Sequence, residues 1–260
     1  MKKAIAIVAV LALIFISGCG SNQKNSPSNV DFSSLQIVDK TVQLNTFNID
    51  DYMTSSTKVE KVESIYSRRN PSGAYESVEN LYNDNNANMS RAMAYGKILK
   101  IENYDADGWG GYMLTFLVGK AYKGDVNPGE KITIVTSGGY LRLLKNIEDL
   151  GGEDKLGRSE KEIENVILDN SGPDPKLKEG DELLVTLAVD PGMPEGVWSE
   201  QKHMGRFYYN EKGLLTRYKY DDLSFEEYDE KTRKSKTYQQ EFTFEELDKK
   251  LEDLKKTAKK

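Results

Sequence analysis

One cysteine, Cys19, occurs in 260 residues, so no disulfide can brace the chain and its body must be held by packing and hydrogen bonds alone. The composition suits that task. At 38% apolar and 30% charged residues, the chain reads as one or at most two globular domains of about 100 to 200 residues each. With 36 basic and 42 acidic residues the net charge is −6. A net negative molecule has no overall positive field to gather nucleic acid, which is therefore not an expected partner.

The position of the cysteine says more than its count. Met1-Lys2-Lys3 precede an uncharged apolar run from Ala4 to Ile16, and Ser17-Gly18-Cys19-Gly20 come after it. As a helix the run reaches roughly 20 Å, short of the roughly 30 Å hydrocarbon core of a bilayer, so it reads as an export signal and not as a permanent anchor helix. An exported chain with one free thiol invites intermolecular disulfides. Ile16-Ser17-Gly18-Cys19 resembles the lipobox of bacterial lipoprotein precursors, an aliphatic residue, two small residues and a Cys. The resemblance covers the signal peptide. It implies that residues 1–18 are removed, that Cys19 becomes the first mature residue and carries a diacylglycerol thioether, and that the protein sits on the extracytoplasmic face of the cell membrane. Two acyl chains suffice for stable anchoring. Loss of Lys2 and Lys3 takes the charge from −6 to −8, so the lipid is expected to hold the protein while the acidic body stays in water.

Residues 19–34 are mostly Ser, Asn, Gln, Lys and Pro and are expected to form a flexible tether. Residues 35–90 carry mixed signals: Leu35 to Leu44 suits a strand, Val59 to Tyr66 has the apolar spacing of a short helix, and Asn83 to Asn88 reads as a loop. The main domain is placed at 91–225. Tyr95–Tyr104, Tyr112–Tyr122, Lys131–Thr136, Glu182–Val189 and Arg206–Tyr209 are runs rich in β-branched and aromatic residues, bounded by Gly, Pro, Asn and Asp, and are expected to be five strands. Leu114, Phe116, Ile132, Ile134, Val185 and Leu187 are their expected core. Ser159 to Leu168 offers a capped helix inserted between the third and fourth strands. At 243–260, Thr243 and Glu246 form a capping-box pair, and Phe244, Leu247, Leu251 and Leu254 line one face of a C-terminal helix that packs on the strands.

Two segments, Gly124-Asp125 with Pro128-Gly129-Glu130 and Leu177-Lys-Glu-Gly180-Asp181, each fire a Gly-acidic turn into a strand. With the five runs they resemble small secreted five-stranded barrels of OB or netrin-like type over residues 92–215. The resemblance implies an α+β, mainly β fold: a small five-stranded OB-like β-barrel with an inserted short helix and the C-terminal helix.

No catalytic constellation is found. His203 is the sole His, and no Gly-x-Ser-x-Gly elbow accompanies it. One His and one Cys leave zinc short of ligands. Asp105-Ala-Asp107-Gly108 has the alternating carboxylates of a calcium loop, but Trp109 stands where the third ligand belongs. Gly119-Lys120-Ala121 is not a phosphate loop. No cofactor or metal is expected. Among 15 Tyr, 8 Phe and 2 Trp, Trp109 and Trp198 lie in Gly-rich or Pro-rich stretches, where aromatics serve either as lids of a barrel end or as anchors for a ligand. Trp109, Trp198 and His203 are the candidate ligand contacts. The function expected is a binding or protein-interaction module for a protein or cell-wall ligand. The alternative is an extracytoplasmic hydrolase acting on cell-wall material through paired carboxylates.

Overall fold

The computed structural model describes residues 28–61, 77–83, 90–106, 109–149, 158–169, 176–200, 205–217, 226–229, 234–237 and 239–258. The signal peptide, Cys19 and His203 lie outside the described residues.

The N-terminal part contributes β1 (Val38–Asp39), β2 (Thr46–Phe47), β3 (Lys58–Lys61) and helix α1 (Val78–Asn83). Next come β4 (Ala92–Ala106), β5 (Trp109–Lys123), β6 (Glu130–Ser137), β7 (Tyr140–Arg142), α2 (Leu143–Asp149), the single turn α3 (Glu160–Ile163) and β8 (Val166–Asp169). The last third holds β9 (Glu182–Ala188), β10 (Val197–Glu200), β11 (Phe207–Tyr209), β12 (Leu215–Thr216), β13 (Glu226–Asp229), β14 (Lys234–Thr237), β15 (Glu241–Phe242) and α4 (Phe244–Ala258).

The protein is mainly β, with a ten-stranded sheet in place of the five-stranded barrel the sequence suggests. Inside that sheet β4 pairs with β5, β5 with β6, β6 with β10, β10 with β9, and β9 back with the first half of β4. The five strands thus close a circuit, with β6 and β10 parallel and the other neighbours antiparallel. The fifth member is β10, which holds Trp198 and lies where the sequence suggests a loop. Arg206–Tyr209, expected as the fifth strand, supplies β11, which pairs with β9 at Leu183 and Leu184 beyond the point where β10 leaves it at Leu187. Val197-Trp198-Ser199-Glu200 is too short, and its two apolar residues are followed by two polar ones with no alternation, so it does not stand out as a strand in sequence.

Period-2 alternation fills the circuit. Leu114, Phe116 and Val118 of β5, Ile132 and Ile134 of β6, and Leu183, Val185 and Leu187 of β9 form one buried cluster with Ala92, Ala94 and Ile98 of β4. All six residues expected in the core belong to it. The 15-residue β4 pairs with β5 along one edge and with β9 along the other, with register shifts against β5 on both sides of Gly96. A Cβ at Gly96 would sit 2.2 Å from the Leu117 carbonyl and 2.5 Å from the Phe116 ring, so only glycine allows the close approach. At one end of the circuit the buried Arg206 guanidinium forms an ion pair with buried Glu200 and donates to the Thr136 hydroxyl at 3.0 Å.

Two coats cover the outside. Helix α4 starts where the sequence predicts: the Thr243 N–H donates to Glu246 at 2.9 Å, the Glu246 N–H donates back to the Thr243 hydroxyl at 3.2 Å, and Phe244, Leu247 and Leu251 are buried with Tyr95, Tyr122 and Phe242. The second coat is the N-terminal segment. Val30 and Phe32 pack on the α4 cluster, and the Ser28 hydroxyl donates to Glu182 at 2.7 Å. The stretch from 28 on is therefore docked on the body and is not free tether. The chain then runs along β6, with Val38 N–H to the Gly129 carbonyl, Lys40 N–H to the Lys131 carbonyl, and Val42 bonded both ways to the Thr133 hydroxyl. Val42 and Leu44 finish on the outer face of β4, β5, β6 and β10, against Tyr104, Met113, Val135 and Val197. We call residues 36–47 the strap.

Two local expectations change. The Ser159 helix is one turn long, because Val166-Ile167-Leu168 extends into β8, which pairs with β3 and β7. Residues 59–61 of the expected Val59 helix lie in that β3; 62–66 lie outside the described residues. In both cases a short run becomes a strand by pairing with a partner distant in sequence, which local helical spacing does not reveal. Among the described residues no helix is long and apolar enough to cross a membrane.

Candidate functional site

The strap ends at the tip of the β4–β5 hairpin and builds an aromatic rim there. Thr46 and Phe47 pair with Tyr104 and Asn103 of β4. The Asn48 side chain then accepts from the Asp50 N–H at 3.2 Å and starts a turn, Ile49–Asp51, that lifts Tyr52 and Met53 into solvent. Thr side chains brace the loop beyond it: the Thr57 hydroxyl donates to the Tyr52 carbonyl at 2.7 Å and accepts from the Thr54 N–H at 2.8 Å. A loop held by its own side chains presents its aromatics at little entropic cost on binding.

Arg142, 90 residues away on β7, completes the rim. Its guanidinium carbon lies 5.1 Å from the Phe47 ring centre and 4.7 Å from that of Tyr52, and it donates to the Tyr52 hydroxyl at 2.9 Å. Phe47 and Tyr52 meet edge to face at 5.7 Å. Arginine over aromatic faces is an electrostatic contact that orders both groups. Arg142 reaches this place because Gly138-Gly139 turns the chain after β6. Gly139 has φ +72°, a Cβ there would lie 3.0 Å from both the Asn103 amide oxygen and the Tyr112 ring, and that same oxygen accepts the Tyr140 N–H at 3.1 Å. Tyr52 is 40% exposed and Met53 46% exposed, while Phe47 and Arg142 are half-buried beneath them. The rim thus combines solvent-facing apolar area with a fixed cation and a phenol.

The residues chosen from sequence fare differently. Trp109 opens β5 at the hairpin tip, its backbone opposite Ala106, at the same end as the rim. Trp198 stands on β10 opposite Ile134, two residues past the Pro-rich connection, and packs half-buried against the inner cluster. Ile134 is level with Leu114, so the register separates the two tryptophans by five residues, about 17 Å along the strands at about 3.3 Å per residue. His203 is outside the described residues. Phe47, Tyr52 and Arg142 escape a reading of sequence because they come from two segments some 90 residues apart, and the only local signal is the Asn-led turn before Tyr52.

Among the described residues the best-buried carboxylates are all engaged. Glu200 holds Arg206, and Glu130 meets Lys40 at 2.5 Å and Asn127 at 2.9 Å. Glu182 accepts from Tyr95 at 2.5 Å, and Asp248 from Tyr122 at 2.7 Å and from Lys120. Burial would raise the Glu130 carboxyl, but the Lys40 and Asn127 contacts hold it below the usual range. Among the described residues no group of three His, Cys, Asp or Glu side chains is placed to hold a metal ion. The face of β5 and β6, which in an open barrel would be free, is taken by Val42 and Leu44. That leaves the rim as the built, exposed surface at the hairpin end. No protein-family model, no curated protein and no solved structure matches the chain.

Proposed function

We propose that the chain is a lipid-anchored extracytoplasmic bacterial lipoprotein that acts as a binding module, with the Phe47–Tyr52–Arg142 rim as its contact surface. The observation that carries the reading is the rim itself: exposed aromatic area, an ordered guanidinium and a self-braced loop, set on the rigid end of a strand circuit. Aromatic residues and Arg dominate binding hot spots because they deliver contact area and directed hydrogen bonds with few rotors to freeze.

The circuit supports an OB-like body. Its strands in chain order, β4, β5, β6, β9 and β10, pair in the order first, second, third, fifth, fourth and back to first. OB-like barrels bind through the face of strands two and three and the loops beside it, the first hairpin among them. Here the strap fills the face and its continuation rebuilds the hairpin end. Anchoring rests on Ile16-Ser17-Gly18-Cys19. Eight residues lie between Cys19 and the docked Ser28, a reach of at most about 32 Å, so the lipid keeps the body close to the bilayer.

Two measurements test this. Metabolic fatty-acid labelling should mark the wild-type chain and fail with Cys19→Ala; a labelled Cys19→Ala chain rules the anchor out. Quantitative comparison of proteins co-purifying from solubilised envelopes with wild type and with a Tyr52→Ala, Arg142→Ala chain should show partners lost from the variant. An unchanged set rules the rim out.

A further inference from the structure

Behind the far end of the circuit, between the β5–β6 turn and the last turns of α4, lies a hollow of about 380 Å³. Tyr82, Tyr122, Lys123, Val126, Asn127 and Lys255 are its principal walls. Among the described residues two cations line it and no carboxylate does, in a chain that carries six more acids than bases. We propose that this hollow binds a small anionic ligand, a phosphate or carboxylate carried on a flat or apolar body, independently of the rim.

The two ammonium groups are held in place. The Lys255 Nζ donates to the Ala121 carbonyl at 2.7 Å, and an ammonium has three protons to donate, so this bond fixes the group at the wall and leaves it two protons for a ligand. The Lys123 Nζ sits 5.9 Å from the centre of the Tyr82 ring and 3.3 Å from the Ser90 hydroxyl. Neighbouring carboxylates on α4 are drawn off elsewhere. Asp248 is bound by Lys120 and the Tyr122 hydroxyl, and Asp253 pairs with Lys256 at 3.2 Å. Glu252 is near enough to raise the Tyr82 phenol together with its burial, but it does not line the hollow.

The walls also select for a body. The Tyr82 ring is buried, its hydroxyl committed to the Tyr122 carbonyl at 3.0 Å, and Val126 belongs to the barrel's inner cluster. A volume of 380 Å³ lies in the range of small-molecule sites and far exceeds the roughly 30 Å³ share of one water. A bare ion leaves most of it unfilled, whereas an anion on an aromatic or short aliphatic group meets the remaining protons of Lys255 and the ring.

The test uses the full-length chain in detergent with three probes: phenyl phosphate, benzoate and the neutral benzyl alcohol, followed by calorimetry and ligand line broadening at millimolar concentration. At least one of the two anions should bind and benzyl alcohol should not. A charge-assisted hydrogen bond is worth about 1.5 to 3 kcal/mol, so Lys255→Ala should weaken the anion about tenfold or more. Lys255→Gln keeps a donor for the Ala121 carbonyl but removes the charge, and should weaken binding similarly with an unchanged melting temperature. Lys256→Ala, one residue along and paired outward with Asp253, should bind as wild type. Absence of binding by both anions, equal binding of benzyl alcohol, or equal weakening by Lys256→Ala overturns the proposal, the last outcome reducing it to diffuse surface charge.

Discussion

Arg206 and Glu200 are buried together at one end of the strand circuit, with side chains 5% and 0% exposed. Removing one partner of such a pair strands the other in an apolar setting. Arg206→Ala should therefore destabilise the protein by about 3 to 5 kcal/mol, read as a fall in urea midpoint with little change in slope. A loss below about 1 kcal/mol would mean that the end of the circuit is open to water. A second test concerns the phenols. Burial first, and then hydrogen bonds to Glu182 and Asp248, push Tyr95 and Tyr122 well above the ordinary value of 10.0, and burial carries Tyr209 up to about 12. A raised folded pKa favours the neutral group, so this stabilisation is complete below pH 10 and is lost as pH rises through the folded values. An ultraviolet titration should leave these three unionised until alkaline unfolding; smooth reversible ionisation of every tyrosine near pH 10 contradicts the burial. Core positions such as Phe116 and Val185 are legible in sequence because alternation marks a buried face directly. The Arg206–Glu200–Thr136 contact is not, because charge in sequence reads as surface until the fold brings the partners together.

Among the elements, the strap decides both coat and rim. It is stapled by Lys40 to Glu130, whose carboxyl is held below its ordinary 4.5. A depressed folded pKa gives stability that is present above the unfolded value and lost as pH falls through the folded one. Hydrogen-exchange protection of the Val38 and Lys40 amides should therefore drop selectively below about pH 4, while Ile134 in the core stays protected. Glu130→Gln should show weakened strap protection already at neutral pH. Equal loss at all three amides would mean that the strap and the circuit melt as one unit. Helix α4 is readable to its first residue, since a capping box and an apolar stripe are local signals. The strap is not: Leu35 to Leu44 shows strand-like residues but no partner, and its docking depends on Thr133 and Gly129, some 90 residues on. For the same reason β10 and β8 are hidden in the sequence, each being a short run made into a strand by its neighbours.

The whole molecule combines a strand circuit sealed by a buried ion pair with a rim built where the strap ends, and the proposed lipid on Cys19 would tether both to the membrane. The mainly β character follows from the five runs and their turn residues, whereas the ten-stranded extent of the sheet depends on two-residue strands that no sequence period can mark. The most direct measurement places a photoreactive residue at Met53, beside Tyr52, and a second at Lys212, a position 72% open to water in the turn after β11, which β9 sets alongside the Gly96 region of β4 and away from the hairpin tip. After irradiation of intact cells, the account predicts a discrete crosslinked adduct from position 53, its loss when Tyr52→Ala and Arg142→Ala are added, and none from position 212. Adducts of equal yield from both positions, or an adduct at 53 that survives the double substitution, would contradict the rim as the binding surface.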